Sequence, residues 1–380
     1  MTEPCPVLLE LLAEIPDFRQ AQGRRHPLSA ILALSVAAML CGYRSYGAIA
    51  EWGRNYGVEL LRALGFTHDT APCAATLNTV LRGLDREAVE RVLANWAEGV
   101  LAATVAPPQA LEAIAIDGKT LRGSRRQKAP GAHLLSALGH RLGLTLGQRA
   151  VADKTNEIGA IQDVLGAVVL ENRVITMDAL LTQREVAQRI VDGGGDYVMI
   201  VKGNQPTLRE EIATLFAAPQ SVAETLASAA TLDVGHGRIE HRRITTSTAL
   251  CGYSNWSGLA QVFALERQVR RKSNGEERAE IVYGVTSLAR EQASAAQVLE
   301  LVRGHWHIEN KSHWVRDVTF DEDRSQVRVG SIPQVMAALR NTAIGLMRVA
   351  GEVNIAAACR RFAAQPWSAL ALLGISRRTE

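Results

Sequence analysis

The stretch Leu111–Ser124, LEAIAIDGKTLRGS, constrains the rest of the chain more than any other. Ile114 and Ile116 alternate with the small Ala113 and Ala115, and Gly118 closes the run, which predicts a short buried strand. Asp117 stands at its end. A carboxylate at the tip of an apolar strand is costly unless something positive meets it. Lys119, Arg122, Arg125 and Arg126 follow directly. One acid leaving a core strand into a basic loop suits a metal ion holding a phosphate. The same residues also read as a plain turn, because Asp-Gly is a common turn pair.

The chain has 380 residues, enough for two or three domains or one elaborated domain. Its 47% hydrophobic and 21% charged residues fit a globular protein with a sizeable core. A net charge of +3 does not announce a nucleic-acid binder. The basic residues are clustered, however, at Arg24–Arg25, Arg125–Lys128, Arg238–Arg243, Arg267–Lys272 and Arg377–Arg378. Clusters of this kind either form a local positive surface or are simply solvated faces. The five cysteines are scattered, without zinc-ligand spacing, and fit a reducing compartment. The first residues lack the pattern of a signal peptide. Leu28–Cys41, the most apolar run, is too short to span a bilayer and predicts a buried helix. The expectation is a cytoplasmic protein with no membrane association.

Residues 1–105 predict an all-helical domain. A helix over Tyr46–Leu64 stops at Gly65, and Asp85 starts a long helix to about Leu101. In that helix Val89, Val92, Leu93, Trp96 and Val100 make one apolar stripe. From Leu111 the pattern changes. Strands are predicted at His133–Leu138, Leu144–Val151, Arg173–Met177 and Tyr197–Val201, with helices at Glu157–Leu170, Gln183–Val191 and Thr207–Phe216. This order implies a mixed sheet with helices on its faces. Residues 218–290 read as a β-rich insertion with strands at Thr231–Val234, Ile239–Thr246, Gln261–Val269 and Ala279–Ser287. Residues 351–380 read as a C-terminal helical tail.

A last helix is expected from Ser294 to about Val318, opened by a capping box of Ser294 and Gln297. Val298, Leu301 and Val302 define its inward face. Counting on at 100° per residue puts His305, Glu309 and Arg316 on that face. Ionisable residues there either line a site or form a buried ion pair. Asp117 and Asp178 each end a core strand, and neighbouring strand ends share one edge, so the two acids and Glu309 can converge. Three carboxylates can hold two Mg²⁺ ions about 4 Å apart. No Ser-His-Asp or Cys-His pattern offers a side-chain nucleophile.

The segments IAIDGKTLRGS (114–124), DKTNEI (153–158), VITMDALLTQ (174–183), DYVMIVKGNQP (196–206), HGRIEHR (236–242) and RGHWHIENKSHWVRDVTFDEDRS (303–325) resemble the DDE transposases of bacterial insertion sequences, in particular the H-repeat-associated group. The resemblance covers about 110–350, and the first 100 residues are similar to that family's helical companion region. It implies an RNase H-like catalytic domain at about 106–350 with the insertion inside it. It also implies that Asp117, Asp178 and Glu309 are the catalytic, metal-holding triad for two Mg²⁺ or Mn²⁺ ions. Broader relatives carry a tyrosine, an arginine and a lysine around the glutamate. Val302, His305 and Arg316 occupy those positions here, so the tyrosine is missing.

The implied activity is cleavage of DNA at the terminal inverted repeats of an insertion sequence, followed by strand transfer into target DNA. A dimer or higher assembly is implied, because two ends must be held together. Candidate DNA contacts are Lys119, Arg122, Lys202, Arg238, Arg242, Arg243, His305 and Arg316. Trp256 is a candidate for base stacking, against the simpler reading of a core tryptophan. His313, Asp317 and Asp321 are candidates to support Glu309. The rival expectation is a catalytically silent or domesticated DNA-binding descendant. A nuclease that cuts without joining is a third reading.

Overall fold

The computed structural model describes residues 7–104, 111–125, 131–151, 157–235, 237–252 and 254–377. The expected strand-helix alternation is present. The strands are β1 (Glu112–Thr120), β2 (His133–Gly139), β3 (Thr145–Val151), β4 (Arg173–Met177), β5 (Asp196–Val201), β6 (Leu226–Gly235), β7 (Arg238–Ser247), β8 (Gln261–Arg271) and β9 (Glu277–Thr286). They hydrogen-bond in the order β3-β2-β1-β4-β5-β9-β8-β7-β6. β1, β4 and β5 run parallel, while β2 and β3 form an antiparallel pair. The sheet is therefore mixed, with the RNase H-like order β3-β2-β1-β4-β5 at one end. The strands of the expected insertion continue this sheet, because β9 pairs antiparallel with β5.

The chain divides into two compact units. A strand unit comprises Gln109–Asp117 and Ile161–Trp306. Within it, the helix Ala295–His305 lays Val298, Leu299, Leu301 and Val302 into a core with Val174, Val198, Ile244 and Phe263. The capping box of Ser294 and Gln297 opens that helix as expected. The helix Pro206–Ala217 packs against β8 and β9. β6, β7, β8 and β9 pair in turn as long antiparallel strands in unbroken register.

A helical unit comprises Met1–Pro108, Gly118–Ala160 and His307–Glu380. Its centre is the helix Leu28–Leu40, in which every side chain except Ser29 is buried. A helix apolar on all sides has to be surrounded. The helix Ile332–Val349, itself largely buried, packs against it. The helix Arg86–Ala103, capped by the Asp85 side chain, buries the expected stripe of Val89, Val92, Leu93, Trp96 and Val100.

Two expectations need correction. Tyr46–Leu64 is not one helix but two, Tyr46–Asn55 and Gly57–Ala63. Gly57 has φ +80°, a left-handed conformation that a helix interior does not admit. The expected helix from Ser294 to Val318 is also interrupted. The α-helix ends at His305, a π-helical turn spans Glu309–His313, and a short α-helix follows at Trp314–Val318. A π turn breaks the 100° count: Glu309, counted onto the inward face, is half exposed, whereas Arg316 is buried as expected.

Candidate active site

In the strand unit, β1 and β4 are in parallel register with Ile116 opposite Met177. Asp178 directly follows the end of β4, whereas Asp117 does not end its strand as expected: β1 runs on through Gly118 to Thr120, and only its pairing with β4 stops at Ile116. The strands beneath them are apolar and buried, with Ile114, Ile116, Ile175 and Met177 all within 1% of full burial. Asp178 then caps a short 3₁₀ turn, its Oδ1 accepting from the Ala179 backbone N–H at 2.7 Å. Asn204 donates to the Ala179 and Thr182 carbonyls at 2.6 and 3.3 Å, and the Thr182 hydroxyl donates to the Ile200 carbonyl at 2.7 Å. The turn after Asp178 is thus tied to β5 and the loop beyond it.

Lys202 follows β5, and its Nζ lies 3.4 Å from Asp178 Oδ1. Both side chains are more than half exposed, so the pair contributes little to stability. His305 Nδ1 is 3.2 Å from the hydroxyl of Thr176. Thr176 is two residues before Asp178 and so shares its face of β4.

The helical unit carries Glu309, the first residue of the π turn. Its Oε2 lies 3.1 Å from Nδ1 of the buried His313. The hydrogen bond with His313 holds the Glu309 carboxyl below the usual range. Partial burial opposes this, and the charges of His313 and Lys119 add to it. Glu309 is therefore a carboxylate at neutral pH. Lys119 is buried, and its Nζ contacts Asp317 at 2.5 Å. Asp321, in a left-handed conformation, bridges Arg44 at 3.6 Å and Arg324 at 2.9 Å.

Below these loops is an ion triplet that sequence reasoning missed. Glu322 sits between Arg316 and Arg340, at 2.8 Å from each, and all three are at most 2% exposed. Burial alone would raise the Glu322 carboxyl, but the two guanidinium groups outweigh it and lower its pKa. The missed signal is weak, because Glu322 lies in the run Asp321-Glu322-Asp323-Arg324, which reads as a solvated loop.

The remaining candidates divide. Arg122 is 80% exposed and 3.8 Å from Asp323. Arg238 and Arg243 are exposed on β7, on opposite faces. Four of the candidate DNA contacts are largely buried, Lys119 on Asp317 among them. Arg316 is fully buried on Glu322. Arg242 is mostly buried, at 2.5 Å from Asp233 and 2.6 Å from Glu240. Trp256 is 4% exposed, the core tryptophan of the simpler reading.

Carboxylates on adjacent parallel strands are hard-oxygen donors, the ligand type that Mg²⁺ and Mn²⁺ accept. The mixed sheet with helices packed on it defines the RNase H-like class of fold.

Comparison with known proteins specifies the class. Residues 108–346 match the family described as "Transposase DDE domain", and residues 9–97 match a region described as "DDE_Tnp_1-associated". The chain belongs to the DDE transposase family. It is 33% identical over 356 residues to "Putative transposase YncI" of Escherichia coli O157:H7, covering 91% of this chain and 88% of that protein. It is 28% identical over 348 residues to "H repeat-associated putative transposase YhhI" of Escherichia coli strain K12, covering 90% of each. Among the described residues, no helix is long and apolar enough to cross a membrane.

Proposed function

We propose that this transposase binds the terminal inverted repeats of its own insertion sequence, cleaves the DNA there and joins the freed 3′-hydroxyl ends to target DNA. The observation that carries the proposal is the register of Ile116 with Met177, which puts Asp117 and Asp178 each one residue past the last paired position of β1 and β4. Glu309 is the third carboxylate of the triad. These three residues would hold two Mg²⁺ or Mn²⁺ ions. When bound, such ions lower the pKa of an attacking water or hydroxyl and stabilise the leaving oxygen of an in-line displacement.

The chain's own groups do the positioning. The 3₁₀ turn after Asp178 fixes one carboxylate, through Ala179 and Asn204. His313 orients Glu309 and keeps it ionised. Lys202, the first residue after β5, presents an ammonium beside Asp178 for a DNA phosphate. His305 carries charge to the same face when protonated. Arg122, Arg238 and Arg243 supply further phosphate contacts, while Lys119 stays buried on Asp317.

In this reading residues 1–105 recognise the DNA ends, 106–350 form the catalytic domain and 351–380 are a helical tail. The protein acts in the cytoplasm as a dimer or higher assembly on DNA. The presence of all three acids weighs against the silent DNA-binding alternative.

The test is incubation of purified protein with Mg²⁺ or Mn²⁺ and DNA carrying the element's flanking ends. Cleavage at the ends followed by joining supports the proposal. Cleavage that never leads to joining assigns a nuclease instead, and binding without cleavage assigns a DNA-binding descendant.

A further inference from the structure

Two short segments of the helical unit meet to form a groove of about 650 Å³ whose walls are dominated by arginine. Arg122 and Arg125 come from the turn after β1, and Arg324 and Arg328 come from the loop after the Trp314–Val318 helix. One acid, Asp323, lines it with them. All four arginines are exposed, Arg122 to 80% and Arg324 to 85%.

The groove is built and not a chance gathering of surface side chains. Gly123 lies so close to the opposite loop that a Cβ on it would fall 2.3 Å from the Ser325 carbonyl oxygen and 2.7 Å from that of Glu322. Arg328 Nε donates to the Gly123 carbonyl at 3.0 Å and ties the segments together. The second segment begins on Glu322, which Arg316 and Arg340 anchor in the interior. Both segments therefore hold their arginines on a rigid base.

Four guanidinium groups around one groove repel each other, and Asp323 together with the neighbouring Asp321 offsets only part of that charge. A polyanion supplies the rest. Guanidinium forks suit phosphate oxygens, which they bind in bidentate fashion. The groove is far larger than a single phosphate group needs and is open along its length. We propose that it is a track for the DNA phosphate backbone, in which Arg122, Arg125, Arg324 and Arg328 hold several successive phosphates. This inference rests on the DNA-transposase reading and adds to its candidate DNA contacts Arg125, Arg324 and Arg328. The residues carry no base-reading geometry, so the contact is independent of sequence.

The test is binding of a fluorescently labelled duplex of arbitrary sequence, followed by anisotropy between about 50 and 200 mM salt. Full-length wild type is compared with the triple variant Arg122→Gln, Arg125→Gln, Arg324→Gln and with the matching triple lysine variant. All three side chains are exposed, and thermal melts verify that the variants are folded. The glutamine variant is expected to lower the slope of log affinity against log salt by about 2–3, close to one per lost phosphate contact, and to weaken binding at least about tenfold. The lysine variant is expected to recover most of the slope. If the triple variant does not fold, Arg324→Gln alone is expected to lower the slope by about 1. Wild-type binding with a slope that these variants leave unchanged overturns the groove and leaves the transposase reading standing. A wild type that binds no DNA at any salt overturns the transposase reading, and the groove with it.

Discussion

Asp117 and Asp178 are each one residue beyond the paired Ile116 and Met177 on parallel strands, so their carboxylates emerge at the same level of the sheet. This pairing is made by backbone register. It persists when either side chain is changed, and the chemistry of each position can be altered without disturbing the fold.

The Arg316–Glu322–Arg340 triplet should behave oppositely. Removing one partner of a buried ion pair leaves charge uncompensated, at a cost of about 3–5 kcal/mol. Here two buried arginines lose their shared carboxylate. Glu322→Gln is expected to destabilise the protein by about that amount, read by chemical denaturation at pH 7. A midpoint equal to that of the wild type contradicts the anchoring role.

Glu90 predicts a pH dependence. It is buried on the helix Arg86–Ala103, accepting from Gln148 at 3.1 Å with Arg149 at 3.4 Å. Burial pushes its carboxyl from 4.5 to about 7, despite Gln148 and Arg149. A carboxyl with a raised folded pKa binds its proton more tightly folded than unfolded. Its contribution is complete below about pH 4.5 and is lost as pH rises through about 7, in total about 3 kcal/mol. Glu90→Gln removes the buried charge and keeps an acceptor for Gln148. The variant is expected to exceed wild type in stability by about 1–3 kcal/mol at pH 8 and to converge with it near pH 5. Denaturation curves at the two pH values check this, and an equal difference at both contradicts it.

Gly123→Ala tests how closely the two arginine-bearing loops meet. The added methyl would collide with backbone atoms of Glu322 and Ser325, which cannot rotate away as a side chain would. A loss of about 1–3 kcal/mol is expected, as for other overpacked sites. An unchanged melting temperature shows that the loops separate freely.

Much of this architecture was legible in the sequence because it rests on pattern. The all-apolar Leu28–Leu40, the stripe from Val89 to Val100 and the β-branched Ile114 and Ile116 each admit one burial solution. The end of the apolar run marked the end of β4 before Asp178, but β1 continues past Asp117 to Thr120. What escaped was set by tertiary context. Gly57 sits between helix-forming residues, and only its left-handed φ shows that it separates two helices. The π turn at Glu309–His313 leaves no mark in hydrophobic spacing, so counting faces from Val298 put the half-exposed Glu309 on the buried face, while Arg316 is buried as expected. Its true partner, Glu322, was hidden among charged neighbours. Arg340 lies in an otherwise buried helix and signals a partner only once Glu322 is seen.

The central claim is that Asp178 takes part directly in metal-dependent strand cleavage. Asp178→Asn is the cleanest probe, since asparagine retains an acceptor for the Ala179 N–H and the side chain is half exposed. The measurement is the rate of cleavage of DNA bearing the element's ends, with Mg²⁺, for variant and wild type of matched melting temperature. The account predicts a loss of at least about a hundredfold, since even residues that only support a metal ligand cost about 10–100-fold. An Asp178→Asn protein that cleaves at the wild-type rate would contradict it.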